Sequence, residues 1–235
     1  VRILIIIIAT FSLLACNPSA EEFIQKGIEN IEAEQPAEAL NYLNRGVEAY
    51  PDNAQMHNLR GIAHFENKQY DAAVEDFTIS IKLDSTGYKP FFNRANALRE
   101  LDKNFDAIQD YNIAIRFEPS LKDAYINRGF MYFKTEVFGQ AYEDFQQAVV
   151  LDPNDVMAVY NKGRAALAIG NIDQAKVDFG VAINLDQNYA AAYYWLGLVH
   201  VGLEEMDMAC SNFIRAKNLG HEEADQAIAD FCSEK

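Results

Sequence analysis

The chain has 235 residues, half of them hydrophobic, with 12 glycines and 6 prolines. That length buries a sizeable core, and the composition is not that of a disordered chain. The formal net charge of −15 argues against the basic faces that nucleic acid selects, while it suits solubility and admits a basic partner.

Val1-Arg2 is a short basic start, and Ile3 to Leu14 is almost wholly apolar. The run falls short of the ~20 residues of a comfortable membrane span and fits the core of a signal peptide. Leu13-Leu14-Ala15-Cys16 closes it. This tetrapeptide resembles the lipobox of bacterial lipoproteins, in which the cysteine is lipidated and becomes the mature N-terminus. The resemblance implies a signal peptide over residues 1–15, a lipid on Cys16 and a short tether over 16–19. Each buried methylene contributes ~0.8 kcal/mol, so two or three acyl chains anchor far more firmly than one. Asn17, rather than aspartate, follows the cysteine, which in that family leans toward the outer membrane. An ordinary signal peptide ending in small residues is the alternative.

Beyond the tether, Gly27, Gly61, Ala95, Gly129, Gly163 and Gly197 recur at a constant interval of 34. Ala39, Ala73, Ala107, Ala141, Ala175 and Ala209 keep the same register, as do Leu43, Phe77, Tyr111, Phe145, Phe179 and Phe213. A fixed period of this length marks a helical solenoid. The repeats start at Ala20, Ala54, Tyr88, Lys122, Val156 and Ala190. Each reads as two helices, with small and large residues recurring at helical spacing on one face. Short helices like these are marginal alone and gain stability by stacking on neighbours. Between pairs, Tyr50-Pro51-Asp52-Asn53 and Leu151-Asp152-Pro153-Asn154 are typical turns. Proline ends one helix there, and Asp, Asn or Ser is expected to cap the next.

These motifs resemble the tetratricopeptide-repeat family. The fourth repeat carries its signature most fully, in Asn127-Arg128-Gly129, Ala141, Phe145, Ala148 and Pro153. The likeness runs over about residues 20–221, with local departures such as Ala95 for glycine and Ser85, Gln187 and His221 for the turn proline. It implies an all-α fold: a right-handed α-solenoid of six helix-turn-helix repeats, in one domain over 20–235, with a C-terminal capping helix at about 222–232. A solenoid needs such a polar-faced cap, and Leu219-Gly220-His221 reads as the turn before it. Across that turn Cys210 and Cys232 lie at similar distances. Two antiparallel helices would bring them together, as a disulfide in an oxidising compartment or as two small buried thiols.

Within a repeat, the seventh residue is basic and the twenty-third is aspartate in Arg60/Asp76, Arg94/Asp110, Arg128/Asp144 and Lys162/Asp178. In the sixth repeat both charges vanish together, as Leu196 and Asn212. We read these as structural ion pairs across the hairpin; as surface pairs they would contribute only ~0–1 kcal/mol.

The family resemblance also implies that each first helix lines a concave groove, with its second, fifth, sixth, ninth, twelfth and thirteenth residues. The sixth position holds Asn93, Asn127 and Asn161. An asparagine amide both donates to and accepts from a peptide backbone, so a ladder of them suits an extended chain; the alternative is bonding within the solenoid. Around it stand Lys89, Phe92, Asn96, Arg99, Phe130, Lys134, Tyr160, Arg164, Tyr194 and Trp195. Two cations against eight carboxylates leave the first repeat at −6, whereas the third and fifth are neutral. Aromatic residues and arginine are favoured in binding hot spots. The lysine with which chaperone-binding relatives clamp a C-terminal carboxylate is missing from the fifth position.

Catalytic chemistry is not legible. His57, His64, His200 and His221 are scattered, no phosphate loop or zinc spacing appears, and the acidic turns lack the glycine and glutamate of a calcium loop. The sequence therefore leads to a non-enzymatic envelope lipoprotein with no cofactor, no metal and no evident small-molecule substrate. It is expected to hold a protein or peptide partner in the groove; the other reading is a structural lipoprotein that self-associates through its outer faces or ends.

Overall fold

A computed structural model describes residues 18–232; Cys16 and the leader lie outside them. The described residues form thirteen helices, twelve of them in six antiparallel pairs. The pairs are α1 (Ala20–Glu32) with α2 (Pro36–Ala49), α3 (Ala54–Glu66) with α4 (Tyr70–Leu83), and α5 (Lys89–Glu100) with α6 (Asn104–Phe117). They continue with α7 (Lys122–Lys134) and α8 (Phe138–Leu151), α9 (Val156–Ala168) and α10 (Ile172–Leu185), and α11 (Ala190–Gly202) and α12 (Met206–Asn218). The cap is α13 (Ala224–Phe231). First helices also touch the first helices of the next repeat, as α1 touches α3 and α9 touches α11, whereas successive second helices make no comparable contact. The stack therefore curves with its first helices inside.

The three sequence combs are one packing device. In each repeat the small residue of the first helix faces the large residue of the second. A Cβ on Gly61 would lie 2.6 Å from the Phe77 ring, and one on Gly197 would lie 2.5 Å from Phe213. The alanines and large residues of the other two combs are buried to 1% exposure or less. Ala95 departs from the glycines, and opposite it the large residue is Tyr111, whose hydroxyl donates to Asn96 Oδ1 at 2.7 Å.

The turns inside the pairs follow a rule that the sequence hides. Glu34, Lys68, Asp102, Glu136, Gly170 and Glu204, again 34 apart, all have positive φ, from 55° to 79°. Each is followed by a six-to-one hydrogen bond, such as Gln35 N to Asn30 O at 2.9 Å and Val137 N to Tyr132 O at 2.8 Å. This closes the first helix with a left-handed residue, which is glycine in one case of the six. The turns between pairs depart from the expected capping. Ser19, Asn53 and Asp155 do cap α1, α3 and α9. Asp84, Asp152 and Asp186 instead accept from backbone two residues on, at 2.9 to 3.1 Å, because an Asx turn satisfies the loop before the helix begins.

The ion pairs sit deeper than expected. Asp76, Asp110, Asp144 and Asp178 are only 2–4% exposed, which corrects the surface-pair reading. Arg128 grips Asp144 with Nε at 2.8 Å and Nη2 at 2.5 Å, and its Nη1 reaches Asn112 Oδ1 of the preceding repeat at 2.5 Å. Arg60 and Arg94 repeat the arrangement, with Nη1 on Asn44 and Thr78. Each guanidinium thus ties its own hairpin to the previous one. Burial pushes the Asp144 and Asp178 carboxyls up, against the pull of Arg128 and Lys162.

At the C-terminal end Cys210 and Cys232 are joined as a disulfide. Ala224 and Ala227 of α13 are buried, and Phe231 stacks on Phe213 at 6.0 Å.

Candidate binding groove

The inner face opens into a recess of 550 Å³ lined by repeats one to three. Ile28, Leu59, Ile62 and Phe92 form its apolar floor, with Gln55, Asn58, Tyr88, Lys89, Asn93 and Leu121 around it. A second recess of 160 Å³ continues from Ile62 and Asn93 toward Phe65, Glu66 and Asn96. Apart from Tyr88 and Leu121 at repeat edges and Phe77 beneath, these residues occupy the six first-helix positions named above. Lys89 is exposed and makes no ion pair among the described residues.

The predicted site residues fall into three groups. Lys89, Phe92, Asn93 and Asn96 line the recesses. Arg99 and Lys134 are engaged with acids, Arg99 with Glu100 at 2.9 Å and Lys134 with Asp102. The rest, Arg164 apart, are held by packing or by hydrogen bonds within the solenoid. Phe130 meets Phe145 edge-on at 5.3 Å. Tyr194 stacks flat on His221 at 4.3 Å, so it secures the turn before the cap.

The asparagines do not form one ladder. Asn93 Nδ2 donates to Asn58 Oδ1 at 3.2 Å, and Asn127 Nδ2 to Asn96 Oδ1 at 3.0 Å. Asn161, only 4% exposed, donates to the Met157 carbonyl at 2.8 Å in its own helix. These amides bond within the solenoid, the second of the two readings drawn from the sequence. Asn161 and the buried Tyr160 cannot serve as open groove contacts, because neighbouring side chains cover them.

Tyr160 belongs to a box with Phe133 and Trp195 around the Arg164 guanidinium. The Arg164 Cζ lies 4.7 Å from the Phe133 ring centre, 5.8 Å from Tyr160 and 5.6 Å from Trp195. The three rings come from three successive repeats. The inner face is therefore recessed in its N-terminal half and filled in its C-terminal half.

Gln55, Asn58, Leu59, Ile62 and Glu66 were missing from the sequence reading. The position rule that located Lys89 and Phe92 applies unchanged to the second repeat and would have found them. Attention to the asparagine at the sixth position concealed them, because that position is Leu59 in the second repeat.

Residues 24–87, most of the first repeat and all of the second, match the family model described as tetratricopeptide repeat. The solved structure of YrrB, described as a tetratricopeptide-repeat protein with an unusual peptide-binding site, aligns with a TM-score of 0.72 at 19% identity, over 80% of this chain and 96% of that one. PilF of Pseudomonas aeruginosa aligns at 0.74 and 18%, over 90% and 97%. The fold is that of the tetratricopeptide-repeat solenoids. The C-terminal part of a tetratricopeptide-repeat protein from Cytophaga hutchinsonii aligns at 0.76 and 18%, over 89% of this chain and 87% of that one. No curated protein matches the chain in sequence. Likeness at these identities speaks for the solenoid and leaves its partner to be argued from the groove.

Among the described residues no group of three or more His, Cys, Asp or Glu is placed to hold a metal ion. None of the described helices is long and apolar enough to cross a membrane.

Proposed function

We propose that this solenoid is a non-catalytic scaffold that holds an extended segment of a protein partner on its inner face, anchored to the bacterial envelope by a lipid on Cys16. The observation that carries the groove reading is the recess of 550 Å³. Its apolar floor, amides and one exposed lysine are the elements of a site that seats a side chain and holds the backbone beside it. The anchor rests on the leader sequence alone, and the outer membrane is the compartment that leader favours.

A photo-crosslinking residue at Gln55, inside the recess, tests the groove. It should give a discrete adduct that the same residue at Glu75, on the second helix of that repeat, does not give. Identical adducts at both positions, or none at Gln55, count against the reading. Alanine at Asn93, Asn127 and Asn161 is the poorer experiment, because it also removes bonds between repeats. For the anchor, labelled palmitate should enter the wild type and not Cys16→Ser; equal labelling or none refutes it.

A second reading has its own observation. Val150, Val177, Met208 and Ile214 on the second helices are exposed, which suits self-association through the outer face. Light scattering over a range of concentrations separates the two, since the groove reading requires a monomer in the absence of the partner.

A further inference from the structure

We propose that Arg164 is the anchor for a carboxylate side chain of the partner segment. The inference rests on the groove reading and adds the chemistry of what the groove holds. Arg164 is the ninth residue of its repeat, where Ile28 and Ile62 line the N-terminal recess. It is partly exposed on the same inner face.

The other arginines of the first helices are engaged with acids. Arg60, Arg94 and Arg128 each grip a buried aspartate, and Arg99 bonds Glu100. Arg164 has no carboxylate partner among the described residues. Its Nη1 has one long bond of 3.3 Å to the neutral Asn161 amide, and its Nε is buried without any hydrogen-bond partner. The nearby phenols of Tyr160 and Tyr189 supply no counter-charge, because burial pushes both up and keeps them neutral.

Rings balance part of the charge. They also fix the guanidinium, since Phe133, Tyr160 and Trp195 are held by three different repeats. A planar cation fixed in advance loses little freedom when a carboxylate arrives. Nε is shielded by its surroundings, so the carboxylate meets the outer edge of the guanidinium, at Nη1 and Nη2. In a chain of net charge −15, a cation left without an acid on the inner face selects an acidic residue over the basic ones that the rest of the surface attracts.

A displayed library of random linear peptides, selected on the folded protein, is the probe. The enriched peptides should share an Asp or Glu, and changing that residue to its amide should weaken binding to the wild type about tenfold, the scale of a charge-assisted bond. In Arg164→Met, which keeps an unbranched side chain between the rings, acid and amide peptides should bind equally. Arg164→Lys should retain the preference in part, and serves if the methionine variant fails to fold. Enriched peptides without an acid, or an acid preference that survives in Arg164→Met, overturn the anchor and leave the groove standing. Failure to enrich any peptide, or binding that is indifferent to Phe92→Ala, counts against the groove itself.

Discussion

Arg128→Leu is the perturbation that most sharply separates a buried ion pair from a surface one. It removes two hydrogen bonds to Asp144, at 2.8 and 2.5 Å, and the bond to Asn112 of the preceding repeat. Asp144 is 4% exposed and would remain as an uncompensated buried charge. Breaking such a pair costs about 3–5 kcal/mol, a large share of the ~5–15 kcal/mol that holds a domain together. Urea denaturation measures the loss, and amide exchange in α7 and α8 shows whether it is local, as expected for a stack of nearest-neighbour units. Acid gives a second readout. Burial already pushes the Asp144 carboxyl up, and Arg128 is what pulls it down. Without that pull the folded state binds the proton more tightly than the unfolded chain. The stability gained by protonation is then complete below the unfolded value of about 3.9 and is lost as pH rises through the elevated folded value. Acidification from neutral pH should therefore narrow the gap between variant and wild type. The double change Arg128→Leu with Asp144→Asn copies Leu196 and Asn212 of the sixth repeat, where the Asn212 amide donates to the Met208 carbonyl one turn back at 2.8 Å. It should recover most of the loss. A single variant that costs less than about 1 kcal/mol, as a surface pair would, or a double variant no better than the single, refutes the reasoning.

Two other perturbations test the packing and the cap. Gly197→Ala places a methyl 2.5 Å from the Phe213 ring and should cost about 1–3 kcal/mol by overpacking, read from the shift of the urea midpoint. Reducing the Cys210–Cys232 bond opens a loop of sequence separation 22, equivalent to about 3 kcal/mol in the loop-entropy model; exchange should accelerate in α13 and leave α1 to α8 unchanged, and uniform acceleration would show that the bond does not act locally.

The repeat was legible because its signals are steric. A glycine opposite a phenylalanine leaves a mark in both positions, and the mark recurs wherever the contact does. The hairpin turns left no such mark: Glu34, Lys68, Asp102, Glu136 and Glu204 adopt positive φ with ordinary polar residues, and Gly170 alone shows the rule. The pairing of Arg128 with Asp144 could be read from the simultaneous loss of both charges in the sixth repeat. Its depth could not, because burial is set by the neighbouring repeat and charge gives no measure of it. The inner face was only partly legible for a similar reason. Asparagine at the sixth position looks like a backbone ligand, but a neighbouring repeat brings Asn58 and Asn96 within reach of it. In the sequence Arg164 is one cation among several; its lack of an acid partner among the described residues emerges only when the partners of the others are in place.

The third repeat joins the core to the groove, and its exception to the glycine pattern is the reason. Ala95 faces Tyr111, where the other second helices carry phenylalanine or leucine. The phenol, pushed up by burial and so neutral, donates to Asn96 Oδ1 at 2.7 Å, and the same oxygen accepts from Asn127 Nδ2 at 3.0 Å. Two donors converge on one carbonyl, which fixes the Asn96 amide and, through it, Asn127 in the next repeat. Tyr111→Phe keeps the ring that the comb requires and removes one donor, for a cost of about 0.5–1.5 kcal/mol. The fold should survive, because phenylalanine occupies this position in four of the six repeats. The Asn96 amide then loses the restraint from below and turns more freely in the small recess it lines. Side-chain amide resonances of Asn96 and Asn127 should move and broaden while those of Asn161, bonded within its own helix, stay in place. If all three are unmoved, the tyrosine is only a filler, and the polar inner face is set without reference to the core.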